Sequence, residues 1–251
     1  MKKIYLEAKE TYSHVKRIFL VNADAFVLSA AKLKIIANKI NKILPEVETI
    51  AMYASVNNIK DKTDEELKEL RGLKINDLNI GIESGSATVL KHLNKGFTRD
   101  EATKQLQRLT KAGIDYSVNI IIGAAGSDNS LHHAIESSSF LNELTPSLIF
   151  VATLHVDKGS PLEIKLNRGD FKESTVRQNI IEEIEFLSRL NLNNTYFFGY
   201  HTSNVIPIGG FLNEDKEKIL NSLYKGLKSI NKDILDSHPQ KGSEGNITLI
   251  K

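Results

Sequence analysis

Short apolar, β-branched runs alternate with amphipathic stretches along this chain. Six runs have the length and composition of strands, and they are Arg17–Asn22, Thr49–Ser55, Leu78–Glu83, Tyr116–Gly123, Leu148–His155 and Thr195–His201. Between them apolar residues recur at helical spacing, as in Ala30–Leu44 after the candidate N-cap Ser29. The repeated β-α order predicts a parallel sheet covered by helices, either a barrel or a doubly wound sheet.

The two faces of the predicted strands differ, because successive side chains point to opposite sides of a strand. The polar faces of the third, fourth and fifth runs carry Asn79, Glu83, Ser117, Asn119, Thr153 and His155. The apolar faces, which in the fifth run are Leu148, Phe150, Ala152 and Leu154, are expected to lie under the helices. A doubly wound sheet would be apolar on both faces. The pattern therefore favours an α/β fold with a partial barrel whose interior can hold a ligand.

The composition is that of an ordinary globular protein. Of 251 residues, 41% are hydrophobic and 25% are charged, and 33 basic residues nearly balance 31 acidic ones, for a formal net charge of +2. The basic residues are not clustered, so neither a nucleic-acid partner nor an anionic membrane surface is predicted. No apolar run is long enough to span a membrane, and the first residues lack the apolar core of a secretory signal. A cytoplasmic location is expected.

The chain contains no cysteine. It therefore has no disulfide, thiolate metal site or cysteine nucleophile of its own. His132 and His133 are adjacent on a predicted helix, where neighbouring positions do not share a face, so they are not a chelating pair. His155 and His201 both end predicted strands and could meet Asp24 or Glu83 in a hydrolase-like metal site. No His-x-His or His-Glu-x-x-His spacing supports that alternative, and no metal site is predicted.

Active sites of (β/α) barrels lie at the carboxyl ends of the strands. The segment Gly81–Ser86 (GIESGS) ends the third strand and opens a helix, where free backbone N–H groups suit an anion or a ribose hydroxyl. Glu83 within it suits an ammonium group or sugar hydroxyls. The segment Ile121–Gly126 (IIGAAG) lacks the full spacing of a dinucleotide site, but its small residues allow a ligand to approach the backbone.

In their order along the chain, these pieces resemble the radical S-adenosylmethionine (radical SAM) superfamily, in particular its Fe–S oxidoreductase branch. RIFLVNADAFVLS is similar to the family's second strand and its tip, TIAMYASV to the third strand, LNIGIESGSATVLKHLNKGFT to the fourth strand and helix, AGIDYSVNIIIGAAG to the fifth strand, and LHVDKGSPL to the loop after the sixth. The likeness extends over about residues 5 to 230. It implies a partial (β/α)6 TIM-like barrel with S-adenosylmethionine (SAM) at its open end.

The resemblance also implies residue roles. Asn22 and Asp24 stand where the family contacts the methionine amino group of SAM, and Glu83 stands at the strand tip that meets the ribose and the amino acid. The full set of implied SAM contacts is Asn22, Asp24, Tyr53, Glu83, Ser84, Ser86, Asn119 and Gly123. Candidate substrate contacts in the barrel interior are Ser117, Thr153, His155 and His201. Neither the substrate nor a catalytic residue is indicated.

One part of the family pattern is missing from this chain. Family members hold a [4Fe–4S] cluster with C-x-x-x-C-x-x-C in the loop after the first strand, and neither that strand nor any cysteine is found here. Residues 1–235 are expected to form a barrel domain lacking the first strand and the cluster loop, and residues 236–251 a flexible tail. The complete enzyme would cleave SAM reductively and abstract hydrogen from a small molecule. This chain alone is expected to be inactive.

Three interpretations follow from the sequence. In the favoured one, the chain is the SAM-binding part of a radical SAM enzyme whose cluster lies on an N-terminal segment or on another polypeptide. In the second, it is a cluster-free protein that binds SAM or a nucleoside. In the third, it is a metal-dependent barrel hydrolase. The missing first strand would leave an open barrel edge, and an unpaired edge predicts self-association.

Overall fold

The computed structural model describes residues 14–21 and 23–239. Within them the chain forms seven strands, hydrogen-bonded in chain order. They are β1 (Arg17–Leu20), β2 (Thr49–Ala54), β3 (Ile75–Glu83), β4 (Asp115–Ile122), β5 (Leu148–Thr153), β6 (Tyr196–Gly199) and β7 (Ile208–Phe211). The pairs β1–β2, β2–β3 and β5–β6 are parallel, and β7 is antiparallel to β6. β1 and β7 are the end strands, so the sheet is open over the described residues.

Helices follow most of the strands, as the β-α pattern predicted. Over the described residues they are α1 (Ala30–Ile43), α2 (Val56–Lys60), α3 (Asp64–Gly72), α4 (Ala87–His92), α5 (Arg99–Ala112), α6 (Ser130–Leu141), α7 (Pro161–Arg168), α8 (Val176–Arg189), α9 (Leu212–Ser229) and α10 (Lys232–Leu235). The expected α/β class with a mostly parallel sheet is confirmed.

The chain divides into two units, and both β3 and β4 cross the division. The first unit comprises residues 1–82 and 100–117. Its helix α1 begins at the N-cap Ser29, whose hydroxyl accepts from Lys32 N. Helix α3 begins in a capping box, in which Thr63 and Glu66 each bond the other's backbone N–H. These caps fix where the helices start, and the apolar faces of the helices are buried in the core of this unit.

The second unit comprises residues 83–99 and 118–251. Its central helix is α8, which packs against α6 and α9. Phe186 and Leu187 of α8 are fully buried, but so are two acidic residues of the same helix, Glu182 and Glu183. Carboxyl groups are rarely buried without a partner. Helix α8 therefore places two carboxyl groups in the interior of this unit.

The predicted alternation of faces is correct for β3 and wrong for β5. Along β3, Leu78, Ile80 and Ile82 are buried while Asn79, Gly81 and Glu83 are partly exposed. In β5 the fully buried residues are Ile149 and Val151, whereas Phe150 lies on the more open face and stacks on Phe198. Both faces of β5 are apolar in sequence, so hydrophobicity alone could not identify the covered one.

Strand ends and two additional elements also differ from the expectation. β1 ends at Leu20 and β6 at Gly199, so His201 follows its strand rather than ending it. The sequence did not predict α7, which begins with Ser160 as N-cap and Pro161 in its first turn. It also did not predict β7, whose sequence IGGF contains two glycines and therefore has low β propensity.

The domain boundary at residue 235 stays a prediction. Residues 236–239 are described, and Ser237 O accepts a hydrogen bond from Val176 N at the start of α8. The rest of the expected tail, residues 240–251, lies outside the described residues. Of the described helices, none combines the length and apolar composition needed to cross a bilayer. The cytoplasmic location stays a prediction.

Candidate active site

A buried chain of hydrogen bonds joins two turns in the second unit. Ser84 Oγ lies 2.8 Å from His133 Nε2, and His133 Nδ1 lies 2.7 Å from Glu182 Oε1. Glu182 Oε1 also accepts from Gly123 N at 3.0 Å. Ser84 follows β3, Gly123 follows β4, His133 is on α6 and Glu182 is on α8. We call Ser84, His133 and Glu182 the buried relay, since it ties both strand tips to the helices behind them.

The proton positions in the buried relay follow from its partners. A carboxylate only accepts, so His133 Nδ1 carries the proton that faces Glu182. In the neutral imidazole, Nε2 then accepts from the Ser84 hydroxyl, while Ser84 Oγ accepts from Ser86 N at 2.9 Å. Each of these hydrogen bonds therefore has one donor and one acceptor, and together they fix the geometry of Ser84 and His133. The second carboxylate oxygen of Glu182, Oε2, is buried without a partner.

The buried relay has the residue types of a hydrolytic triad, but its serine is inaccessible. Ser84 has 0% exposure, and His133 and Glu182 are also buried. A nucleophile has to reach its substrate, so Ser84 cannot act as one in this arrangement. Its hydroxyl is fully used by His133 and Ser86, which means that it supports the turn. The direct contact between Ser84 and SAM that the resemblance implies stays a prediction.

Two glycines let these turns lie close to the helices. A Cβ on Gly85 would come within 2.6 Å of Ser137 Cα on α6, and Gly85 N donates to Ser137 Oγ at 3.0 Å. Gly123 has φ +83°, and a Cβ there would come within 2.8 Å of Asn179 Oδ1 on α8. Any larger residue would force the turns away from α6 and α8.

Glu83 stands at the tip of β3 with a backbone that non-glycine residues seldom adopt. Its φ is +71°, in the left-handed region. Such strain persists where the surroundings impose it, commonly at ligand sites. Burial raises the pKa of Glu83, and the Lys95 ammonium group, 3.5 Å from its carboxylate, opposes that rise. A half-buried acid with one partner at long range is able to accept further hydrogen bonds from a ligand.

A cavity of about 100 Å³ lies beside these turns in the second unit. Ser86 and His133 line it together with residues of α4 and α6, including His92, His132 and Glu136. Ser86 is the N-cap of α4, but its side chain makes no capping hydrogen bond. Its hydroxyl is therefore not used at the helix end, and the SAM contact that the resemblance implies for Ser86 stays a prediction.

The candidate residues of the first unit, Asp24 and Tyr53, are held by different neighbouring residues. Asp24 accepts a hydrogen bond from the Asn58 amide, and its other oxygen, Oδ1, is buried without a partner. Tyr53 is 46% exposed, and its ring meets Phe19 edge to face at 5.0 Å. Asn22 lies outside the described residues. A buried carboxylate oxygen without a donor fits the amino-group contact that the resemblance implies for Asp24.

Ser117 is the other first-unit candidate, and its partner lies on the neighbouring strand β3. Its hydroxyl donates to Asn79 Oδ1 at 2.5 Å. The sequence placed Asn79 on the polar face of β3 but did not count it among the site residues. In the second unit, Asn119 follows two positions after Ser117 and is half-buried, whereas Ser117 is buried.

Thr153 and His201 are linked through the loop after β6. Thr153 Oγ1 donates to Asn204 Oδ1 at 2.9 Å, and Thr153 N donates to Ser203 Oγ at 2.9 Å. His201 Nδ1 lies 2.7 Å from the same Ser203 hydroxyl. Asn204, which the sequence did not single out, also donates to Val151 O and Gly199 O and so joins the ends of β5 and β6.

His155 is separate from this group. Its Nδ1 lies 3.4 Å from Pro239 O and its Nε2 lies 4.0 Å from Asp157. Over the described residues, no three His, Cys, Asp or Glu side chains are close enough to hold a metal ion. No such cluster among the described residues supports the hydrolase alternative with His155, His201 and Asp24.

The two family cofactors fit this chain differently. An iron–sulfur cluster is held by cysteine thiolates, and the chain has none, so its own residues do not fit the cluster. SAM needs acceptors for its ammonium group and close contacts to backbone and hydroxyl groups. The unpartnered Asp24 oxygen, the half-buried Glu83 and the free Ser86 hydroxyl are groups of that kind. The residues present therefore fit SAM.

A family model and one curated relative match about half of the chain each. Residues 1–137 match the model of the Radical SAM superfamily. The heme chaperone HemW of Bacillus subtilis (strain 168) is 23% identical over 137 residues, which is 54% of this chain and 36% of that protein.

Solved structures extend the likeness beyond that region. Elp3 of the archaeon Methanocaldococcus infernus, with residues 1–46 deleted, aligns with a TM-score of 0.61 and 16% identity over 88% of this chain and 57% of that one. Coproporphyrinogen III oxidase (HemN) of Escherichia coli, a radical SAM enzyme, aligns with a TM-score of 0.54 and 16% identity over 70% of this chain and 41% of that one. At these identities the likeness shows a shared fold. The chain covers less than two thirds of the length of each of these proteins.

Proposed function

The chain belongs to the radical SAM superfamily, and from this premise we propose that it forms the SAM-binding part of a radical SAM enzyme. The observation that carries the proposal is the buried relay, which holds the turns after β3 and β4 in place. The family resemblance assigns SAM contacts to these two turns. Preorganised turns bind a flexible cofactor better, because less order has to be gained on binding.

The resemblance assigns the SAM ammonium contact to Asp24 of the first unit, whose Oδ1 is buried without a partner. In the second unit, two side chains would hold SAM, of which Glu83 accepts from the amino acid or the ribose. Ser86 offers a free hydroxyl at the start of α4. Bound SAM supplies the carbon–sulfur bond whose reductive cleavage begins the chemistry of this superfamily. The protein contributes by orienting the cofactor and excluding water from it.

The thiolates that hold a [4Fe–4S] cluster would come from protein outside these 251 residues. Cysteine is absent from the chain, and the cluster is the source of the electron in this family. We therefore expect the chain to bind SAM without cleaving it. A cluster-bearing segment or partner polypeptide would restore turnover on a small-molecule substrate.

The test is to measure SAM affinity and SAM cleavage separately. Under anaerobic conditions, isothermal titration should detect SAM binding to the purified chain, and Glu83→Gln should weaken binding by about tenfold or more through the loss of a charged acceptor. Glu185→Gln is the matched control, because Glu185 pairs with Arg189 on α8. If SAM does not bind, or if both variants weaken binding equally, the proposal is wrong.

Cleavage is followed as 5′-deoxyadenosine after reconstitution with iron, sulfide and dithionite. The chain alone should form none. Addition of a polypeptide that carries C-x-x-x-C-x-x-C should start its formation. SAM binding that persists without cleavage in any such mixture would favour the alternative of a cluster-free SAM- or nucleoside-binding protein, for which the absence of cysteine is the supporting observation.

A further inference from the structure

A second polar site lies in the second unit, on α8 beside the buried relay. Asn179 and Glu183, one helical turn apart, line a cavity with Thr153 and the apolar residues Val176, Ile180, Val205, Ile206 and Pro239. The cavity measures about 10 Å³, which is room for one water-sized group.

Two oxygens at this cavity have no partner. Asn179 is 5% exposed and its Oδ1 accepts no hydrogen bond, and Glu183 is also 5% exposed and its Oε1 is equally unpartnered. Both side chains line the same cavity. Buried polar atoms in native proteins nearly always have a partner. When Glu183 is ionised, both oxygens are acceptors, and a donor is then missing beside this cavity.

The charge of the surroundings indicates the kind of donor. Glu182 precedes Glu183 on α8, and its Oε2 is also buried without a partner. None of the residues that line the cavity is a lysine, an arginine or a histidine. A buried carboxylate without a counter-charge is costly. A small cation with several N–H donors would satisfy both acceptors and balance the charge.

We propose that this cavity binds an ammonium group through Asn179 Oδ1 and the Glu183 carboxylate. The group is either the ammonium ion itself or the end of a primary amine, since both present the same N–H donors. The site needs neither the cluster nor SAM. It is therefore independent of the function proposed above, and its test uses the chain by itself.

Burial, reinforced by repulsion from Glu182, raises the pKa of Glu183 to about 8. Below that pH an entering cation has to displace the Glu183 proton, so affinity should rise with pH up to about 8 and then level off. Between pH 8 and pH 7 the affinity should fall by about fivefold. Thr153, the other polar residue that lines the cavity, donates its hydroxyl to Asn204 and carries no charge that would change with pH.

The experiment is thermal unfolding in an amine-free buffer at about pH 8.5, where Glu183 is mostly ionised and ammonium mostly protonated. Ammonium chloride and methylammonium chloride are compared with tetramethylammonium chloride, which has no N–H donor. A cation that binds should raise the midpoint by about 3 to 6 °C at a tenfold excess over its Kd. A shift with ammonium chloride alone would identify the free ammonium ion as the ligand. Shifts with both ammonium and methylammonium chloride would identify the end of a primary amine.

Glu183→Gln should abolish the shift while keeping the shape of the side chain, whereas Glu185→Gln on the same helix should retain it. An equal shift with tetramethylammonium, or a shift that survives in Glu183→Gln, would overturn the proposal. A crystallographic measurement on the unchanged protein tests the same site without any substitution. Crystals soaked in rubidium chloride should show an anomalous peak between Asn179 Oδ1 and Glu183 Oε1, and density for water alone would contradict the site.

Discussion

His133 Nε2 lies 2.8 Å from Ser84 Oγ in the interior of the second unit, and both side chains are buried. The opposite nitrogen of the same ring reaches Glu182, so one imidazole connects the turn after β3 to helix α8. This contact makes the position of a strand tip depend on a helix that lies far along the chain. His133 is a positioning residue in this arrangement.

Replacing His133 should therefore destabilise the fold and weaken SAM binding together. His133→Leu leaves the Glu182 carboxylate buried with Gly123 N as the remaining donor of the relay. Loss of a hydrogen bond to a charged group costs about 1.5 to 3 kcal/mol. Urea unfolding measures the free energy of unfolding, and titration below the unfolding transition measures SAM affinity.

The neighbouring histidine is the control for this change. His132 is exposed and pairs at 3.6 Å with Glu136 on the surface, so His132→Leu should change stability by less than about 1 kcal/mol. Equal decreases in the free energy of unfolding of His132→Leu and His133→Leu would contradict the role of the relay. In the double variant His133→Leu, Glu182→Leu no buried charge remains, and part of the lost stability should return.

Substitutions at Gly123 and Gly159 distinguish the cost of backbone strain from the cost of steric crowding. Both have positive φ, +83° and +81°, but a Cβ on Gly123 would meet Asn179 Oδ1 at 2.8 Å while a Cβ on Gly159 would meet nothing within 4 Å. Gly159→Ala should cost about 1 kcal/mol for its conformation alone, and Gly123→Ala more than that. Comparison of their urea midpoints checks this, and equal costs would show that the turn after β4 is free to move.

The sequence predicted the parts of the fold that depend on local pattern. The helix start at the N-cap Ser29 and the alternation along β3 are signals carried by residues close together in sequence, and the structure has both. The wrong face of β5 and the unexpected β7 arise where the local signal is weak, because β5 is apolar on both faces and β7 contains two glycines.

The buried relay could not be found in this way. His133 and Glu182 are separated by 49 residues, and nothing in either local sequence indicates the other. The only sequence signal was that Glu182 and Glu183 interrupt the apolar face of a helix. A pair of acids at positions where an amphipathic helix should be apolar is a reason to expect buried polar partners.

The open edge of the sheet predicts self-association. Over the described residues β1 is hydrogen-bonded to β2 alone, and an unpaired strand edge is a template for another chain. Sedimentation velocity over a wide concentration range should show a dimer that grows with concentration. Leu20→Lys should weaken it, and Val27→Lys, which adds the same charge at an exposed position outside the sheet, should not. A strict monomer throughout would contradict the prediction.

Glu183 should make the protein less stable as pH rises toward 8. Its pKa is raised from 4.5 to about 8 by burial and by the neighbouring Glu182, so between these values the folded chain keeps a proton that the unfolded chain has lost. The unfolding equilibrium constant should therefore increase by about tenfold per pH unit in this window from Glu183 alone.

Glu183→Gln removes this dependence, because glutamine resembles the protonated acid and does not ionise. In amine-free buffer the free energy of unfolding of the variant, relative to that of the parent, should be lowest near pH 4.5. This difference should increase steadily through neutral pH and stay constant above about pH 8. Glu185→Gln should show no such gain, since Glu185 is paired with Arg189 at the helix surface. Parallel pH profiles for parent and Glu183→Gln would mean that Glu183 is solvated or partnered in the folded protein, and would remove the charge argument for the ammonium site as well.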